Sequence, residues 1–348
     1  MEAASSSLLR GGIDLGGTKI EAIVVDDGNT VLGSSRHPTP STGGPPDVVR
    51  EMIGAMRAAC QAAGVKPGQL LGVGVGSPGV IDEATGSVST ARNLPGWEEP
   101  FALGPALATK LGTTVAIGND VQVATDAEFA LGAGKPYESL LGVMWGTGVG
   151  GGLILDGKPW IGRGGAGEIG HMVVVIDGAR CPCGRRGCME AYAGRAAMEL
   201  HVRRQHEEKG HKTELFKLMR EHESSRLTSG IWARALARGD KLAQRTIDRA
   251  VRALGAGVAS AINVLDVESV IVGGGLGVRL GDEYAARISA AMHPHLFIDS
   301  RPPAVHVSAL GDFGGAIGAS LLVTPGSHAG LGEPPGAEPR EAVRGAAG

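Results

Sequence analysis

Three of the chain's four cysteines fall between positions 181 and 188, in GARCPCGRRGCMEAYAG, and Glu190 follows them almost directly. The spacing is C-x-C-x4-C, and His171, in GEIGH, lies nine intervening residues upstream of Cys181. Cys181, Cys183, Cys188 and His171 would close a tetrahedral Zn2+ shell with no open position, which is a structural rather than a catalytic site. Unliganded thiols are the alternative, and His171 is an addition to the cysteine signal rather than part of it. Zinc would order a glycine-rich, aromatic-poor loop that buries too little to order itself. That loop has Glu168 and Glu190 at its two ends. With the second nitrogen of His171, these carboxylates suit the hydroxyls of a sugar.

A second chemistry is written in glycine turns. In DLGGTK, Gly16 and Gly17 let successive backbone N–H groups converge on an anion; Thr18 adds a hydroxyl and Lys19 a charge. Asp14, at the strand end, is placed to hold Mg2+ through its water shell. Gly146, Thr147 and Gly148, in GTGVGGG, repeat the plan, so the two turns could clasp one polyphosphate between them. Either turn alone could be an ordinary tight hairpin; a pair built alike points to phosphate. GVGSPG (74–79), GTGVGG (146–151) and GGGLG (273–277) also approach a dinucleotide fingerprint. That site needs a helix after the turn, and strands follow the first two. Walker spacing around Lys19 is absent.

The third candidate is Asp120, in AIGND, at the end of a buried strand where ligands of open α/β sheets gather. Asn119 or Asp120 could simply cap the following helix. The functional alternative is a general base for an attacking hydroxyl, orienting the oxygen and taking its proton late in phosphoryl transfer.

These residues hang on a regular frame. Residues 11–37 read as three strands joined by turns, followed by a helix with Val49, Met52, Ile53, Met56 and Cys60 on one stripe, which makes Cys60 a core residue. Strands over 70–76 and 114–118 and helices over FALGPALATKLG and NDVQVATDAEFALG complete the unit. At 140 the plan restarts with LLGVMWG, GGLILDG and KPWIG as strands. A helix over about 240–265, a buried strand at 268–274 and a last helix near Phe313 follow. The expected fold class is α/β.

Composition narrows the function. Apolar residues make up 43% of 348 and the net charge is −3, so cores are ample and there is no basic footprint for nucleic acid. MEAASSSLLRGGID lacks a signal-peptide core, and no apolar run reaches membrane-spanning length, so a soluble cytosolic (cytoplasmic) protein with reduced thiols is expected. Glycine, at 58 residues, is more than twice its usual share of about 7%, and it sits at the ends of apolar runs. Only the tail from about Thr324 to 348 reads as disordered.

Together DLGGTK, NLPGW (93–97), GND (118–120), GTGVGGG, GEIGH, CPCGRRGCME and VGGG (272–275) resemble the ROK family of bacterial sugar kinases and repressors, in the family's order over about 10–323. The resemblance implies an actin-like ATPase (ribonuclease-H-like) fold, two duplicated α/β domains around a central cleft. The domains would be 1–118, rejoined by the helix 313–323, and 119–312 with the zinc segment 171–190. It implies ATP held by Gly16–Thr18 and Gly146–Gly148, adenosine near Gly273, Gly274 and Gly275, and Asp120 as base. Sugar contacts would come from Asn93, Asn119, Asp120, Glu168, His171 and Glu190. NLPGW is most similar to the glucokinase branch, which implies glucose phosphorylated at its 6-hydroxyl. N-acetylmannosamine, N-acetylglucosamine or fructose as acceptor, and polyphosphate as donor, stay open. Family members are often dimers, which implies a homodimer. Family repressors carry an N-terminal DNA-reading helix-turn-helix; here the first strand starts almost at once, which argues against a sugar-responsive regulator.

Overall fold

A computed structural model of the chain describes residues 8–91 and 93–324. The chain opens with β1 (Arg10–Leu15), β2 (Lys19–Val25), β3 (Val31–Pro38) and α1 (Pro45–Ala62). β4 (Val73–Ser77) leads to a small hairpin, β5 (Val80–Asp82) and β6 (Ser87–Ser89), then α2 (Leu103–Leu111), β7 (Val115–Asn119) and α3 (Asp120–Leu131). The second half brings β8 (Leu140–Trp145), β9 (Val149–Leu155) and β10 (Lys158–Pro159). Helices α4 (Glu190–Ala193), α5 (Arg195–Glu207), α6 (Leu215–Glu221), α7 (Ser229–Ala237) and α8 (Lys241–Leu265) come next. The chain closes with β11 (Ser269–Gly273), α9 (Gly274–Met292), β12 (Ala304–Val307) and α10 (Gly314–Leu321).

The duplication is visible in the sheets. One has the order β3-β2-β1-β4-β7, the other β10-β9-β8-β11-β12. In each, the first strand turns back as an antiparallel hairpin on one side and takes two parallel strands on the other. Each sheet has its own apolar core. Ile13, Leu15, Val73 and Val75 pack with Met52, Met56 and Cys60 of α1; Leu141, Val143 and Trp145 pack with Ile247, Leu254 and Val258 of α8. Cys60 is fully buried, as its place on the stripe predicts.

Two crossing helices tie the sheets together. α3 follows β7 of the first sheet but lies across β9 and β8 of the second; α10 follows β12 of the second and lies on β1 and β4 of the first. The two helices also pack on each other. Glycine permits the close approach of α10: a Cβ on Gly12 or Gly74 would collide with the carbonyls of Ala316 and Ala319. This accounts for part of the glycine excess.

Two expectations need correction. KPWIG is a strand only at Lys158–Pro159, because Pro159 cannot donate to a ladder and Gly162 and Gly164 take positive φ. The segment at 70–76 turns extended only at Val73. The tail, beyond Thr324, lies outside the described residues. No helix among the described residues is long and apolar enough to cross a membrane.

Candidate active site

The parallel register puts Asp14 beside Gly76, and Gly76 beside Gly118, so the C-terminal ends of β1, β4 and β7 open on one place. Asp14 points at the first turn of α10: a Cβ on Gly315 would lie 2.8 Å from its carboxyl carbon. Burial raises the Asp14 pKa above the usual carboxylate value, the Lys19 charge opposes this, and Glu21 adds to it. Asp120 begins α3. Burial and then the Asp14 charge push it up to about 7, with Glu168 contributing and the Val121 N–H holding it down. Three carboxylates from three separate segments therefore act on one spot.

The capping question resolves residue by residue. Asn119 is the cap: its Oδ1 accepts from the N–H groups of Val121 and Gln122, at 3.0 and 3.1 Å. Only its amide nitrogen remains for another partner. Asp120 Oδ1 also accepts from Val121 N, at 2.9 Å, which fixes the carboxylate's orientation and leaves Oδ2.

Both glycine turns are pinned through their carbonyls. Thr39 donates from its hydroxyl to Gly16 O at 2.6 Å and from its N–H to Thr18 O at 3.2 Å. On the other side, the N–H groups of Arg195 and Ala196, at the start of α5, donate to Gly146 O and Thr147 O, both at 3.1 Å. In a trans peptide the N–H points opposite to its C=O, so pinning the carbonyls turns the N–H groups of Gly17, Lys19, Thr147 and Gly148 the other way. Lys19 is occupied: its ammonium pairs with the buried Glu21 at 3.3 Å, and Arg36 pairs with the same oxygen. It adds a nearby charge rather than a direct clamp.

The third glycine stretch does open a helix. Gly273 caps α9, and a Cβ on Gly146 would lie 4.0 Å from the Gly275 nitrogen. The second turn and the first turn of α9 thus face each other.

His171, on a short 3-10 turn at Ile169–His171, meets Cys181, Cys183 and Cys188 with all four ligand atoms within 4.8 Å of one another. Tetrahedral Zn–S bonds of about 2.3 Å place sulfurs about 3.8 Å apart; Cys183 Sγ and Cys188 Sγ are separated by 3.7 Å. The donor set and its spacing fit zinc. His171 turns Nδ1 to Cys181 Sγ, at 3.8 Å, and keeps Nε2 on the side of Glu168, whose Oε2 is 3.8 Å away, too far for a direct hydrogen bond.

Glu190, at the other end of the cysteine loop, reaches the second glycine turn. Its Oε2 accepts from Val149 N at 3.0 Å and its Oε1 is 3.8 Å from Cys181 Sγ, so it joins the cysteine loop to the second glycine turn. Asn93 packs on Gly17, whose added Cβ would lie 3.2 Å from the Asn93 amide nitrogen. It makes no hydrogen bond to the three carboxylates among the described residues.

A sequence profile of the ROK family matches residues 10–325. The chain belongs to the ROK family. Over 267 residues it is 34% identical to a glucokinase from Thermotoga maritima, covering 76% of this chain and 81% of that one. It is 31% identical to an N-acetylgalactosamine kinase from Shewanella sp., over 89% and 95% of the two chains. Among solved structures, a ROK glucokinase from Streptomyces griseus in complex with glucose and AMPPNP is 30% identical, with a TM-score of 0.77 over 90% of this chain and 98% of that one. The actin-like fold expected of a ROK protein is the one found.

Two residues of this ROK site escaped sequence reading. Thr39 ends no motif and follows a strand, and only its register against the first hairpin shows what it braces. Arg195 lies five residues past Glu190, in a segment whose place against the second turn comes from tertiary packing.

Proposed function

We propose that this chain is a hexose kinase that transfers the γ-phosphoryl group of Mg-ATP to the 6-hydroxyl of glucose, with Asp120 as general base. The observation that carries the proposal is Asp120 itself: a carboxylate pushed up to about 7, beside Asp14 and Glu168 at one strand end. A sugar hydroxyl resembles water, with a pKa of about 15.7, so no carboxylate removes its proton in advance. A base near neutrality takes that proton more readily than an ordinary carboxylate as the oxygen becomes acidic during transfer. The glucokinases among the relatives, and the glucose and AMPPNP bound by the Streptomyces griseus protein, support glucose and ATP.

In this scheme the turns at Gly16–Thr18 and Gly146–Gly148 grip the phosphates, and Gly273–Gly275 at the α9 N-terminus adjoin the adenosine. Asp14 would hold Mg2+ through water; His171, Cys181, Cys183 and Cys188 would hold Zn2+. Bound there, Mg2+ supplies charge neutralisation on the phosphates and Zn2+ a rigid loop. Glu168, the Nε2 of His171, the amide groups of Asn93 and Asn119, and Glu190 would contact sugar hydroxyls. Residues 1–118 with α10 would form one lobe and 119–312 the other, closing on the sugar.

The test is a coupled assay with ATP across glucose, fructose, N-acetylmannosamine, N-acetylglucosamine and N-acetylgalactosamine. Glucose should give the highest kcat/KM. Turnover of an N-acetyl sugar without turnover of glucose would replace the acceptor, and no turnover of any sugar would refute the kinase.

A further inference from the structure

α5 begins with Arg195, and the guanidinium of this residue has an unusual set of neighbours. Its Nη2 donates to Thr147 Oγ1 at 2.7 Å, and no carboxylate lies within ion-pair distance of it among the described residues. The carboxylate nearby, Glu199, is already engaged. Its Oε1 accepts from Arg203 Nη2 at 2.6 Å and Nε at 3.1 Å, and its Oε2 accepts from Leu227 N at 2.8 Å. Arg195 is half-buried. Burial pushes its pKa down, Glu199 opposes this, and the like charge of Arg226 adds to it. A half-buried guanidinium with no counter-charge within ion-pair distance is placed to take up an anion.

The space for that anion is present. A cavity of about 270 Å³ is lined by Thr147, Arg195, Glu199, Leu200, Arg203 and Arg226. Three arginines line it, and the one carboxylate among the lining residues, Glu199, is paired with Arg203. The cavity begins at Thr147, the middle residue of the second glycine turn. Because Thr147 Oγ1 accepts from Arg195, its own hydroxyl proton is left for another acceptor.

We propose that Arg195, with Arg226 behind it, extends the second glycine turn into a binding site for the phosphoanhydride chain of the phosphoryl donor. Arg195 contacts a phosphate oxygen and aligns the Thr147 hydroxyl on the same chain. This rests on the phosphotransfer function proposed above and adds two residues to its donor site. The shared chemistry is a linear chain of linked phosphates, carried by a nucleoside triphosphate or by inorganic polyphosphate. Arginine suits either, because its planar fork matches phosphate oxygens.

The experiment is titration calorimetry of the full chain with AMPPNP and with inorganic tripolyphosphate, alongside steady-state kinetics with ATP and with long-chain polyphosphate. Arg195→Ala should weaken binding of both probes about tenfold or more, the scale of a lost charge-assisted hydrogen bond. Its hexose KM and its ligand-free melting temperature should stay near wild type. A loss confined to AMPPNP and ATP identifies the nucleotide as the source, and a larger loss with polyphosphate identifies the longer chain. Arg226→Ala, at an exposed position, should weaken tripolyphosphate several-fold, which keeps the test decisive if the Arg195 variant folds poorly. Wild-type affinity for both probes in both variants overturns the inference while leaving the kinase standing. A wild-type chain that binds neither probe removes the phosphotransfer function as well.

Discussion

Asp14, near the end of β1, and Asp120, just past the end of β7, face each other across β4, and after burial the charge of Asp14 is the largest influence raising Asp120 to about 7. Neither lies in a long loop. Asp14 is the last but one residue of β1 and Asp120 opens α3, so their separation is set by the ladder through Gly76 and Gly118. The crossing helix α10, through Gly315, adjoins Asp14, and the charge of Glu168 reaches Asp120.

That relationship predicts a pH-dependent stability. The folded-state pKa of Asp120 is raised, so between about 4 and 7 the folded chain holds a proton that the unfolded chain, near 3.9, has released. Stability from this group therefore falls as pH rises through the window, and the penalty is complete above it. Asp120→Asn keeps the shape and drops the charge. Measured by thermal melting in metal-free buffer, the variant should gain on wild type at pH 8 and match it at pH 4. An equal difference at both pH values would show that Asp120 titrates normally.

The same carboxylate predicts a kinetic signature. Asp120→Ala should lower kcat by about 10²–10⁴-fold, the usual loss of a general base, while glucose still binds. In wild type, kcat/KM should rise with pH along a limb near 7, since this parameter reports the free enzyme's base. Stopped turnover with retained glucose binding by calorimetry is the expected pair of results. An unchanged kcat would take Asp120 out of the mechanism.

Much of this was legible in the sequence, and what was missed has a physical pattern. Asp14, Asp120 and the three cysteines are fixed by local signals: a strand end, a strand-to-helix junction, and ligand spacing. The duplication showed because both hairpins carry glycine at the turn. The contacts of Thr39, Arg195 and the Glu190 carboxylate depend instead on partners far along the chain. Thr39 reaches Gly16, and Arg195 and Glu190 reach the second turn only once α4 and α5 have docked on it. Periodicity and spacing describe a segment against itself and are blind to such pairings. The choice between Asn119 and Asp120 as helix cap needed the hydrogen bonds themselves.

The cysteine loop should be tested through its metal. Cys183→Ser replaces one of four ligands whose atoms lie within 4.8 Å of one another. Zinc content by elemental analysis should fall from about one per chain toward zero, because structural sites of this kind bind through deprotonated thiolates. Glu190 links the same loop to the second turn, so donor KM should rise together with glucose KM. Full zinc content in the variant would refute the ligand set.

Thr39 offers a test of how the first turn is held. Its hydroxyl donates to Gly16 O and its N–H to Thr18 O, and the residue is buried. Thr39→Val keeps the volume and the N–H bond but leaves the part-buried Gly16 carbonyl without its hydroxyl donor, which costs about 1 kcal/mol, the net worth of a typical hydrogen bond. Freed from Thr39, the Gly16–Gly17 peptide can rotate, and the Gly17 N–H no longer points reliably at the phosphates. The expected result is a lower melting temperature with an ATP KM raised several-fold, a nearly unchanged glucose KM, and recovery in Thr39→Ser, which restores the donor. If the valine variant lost stability but kept its ATP KM, Thr39 would be a brace for the fold and not for the donor site.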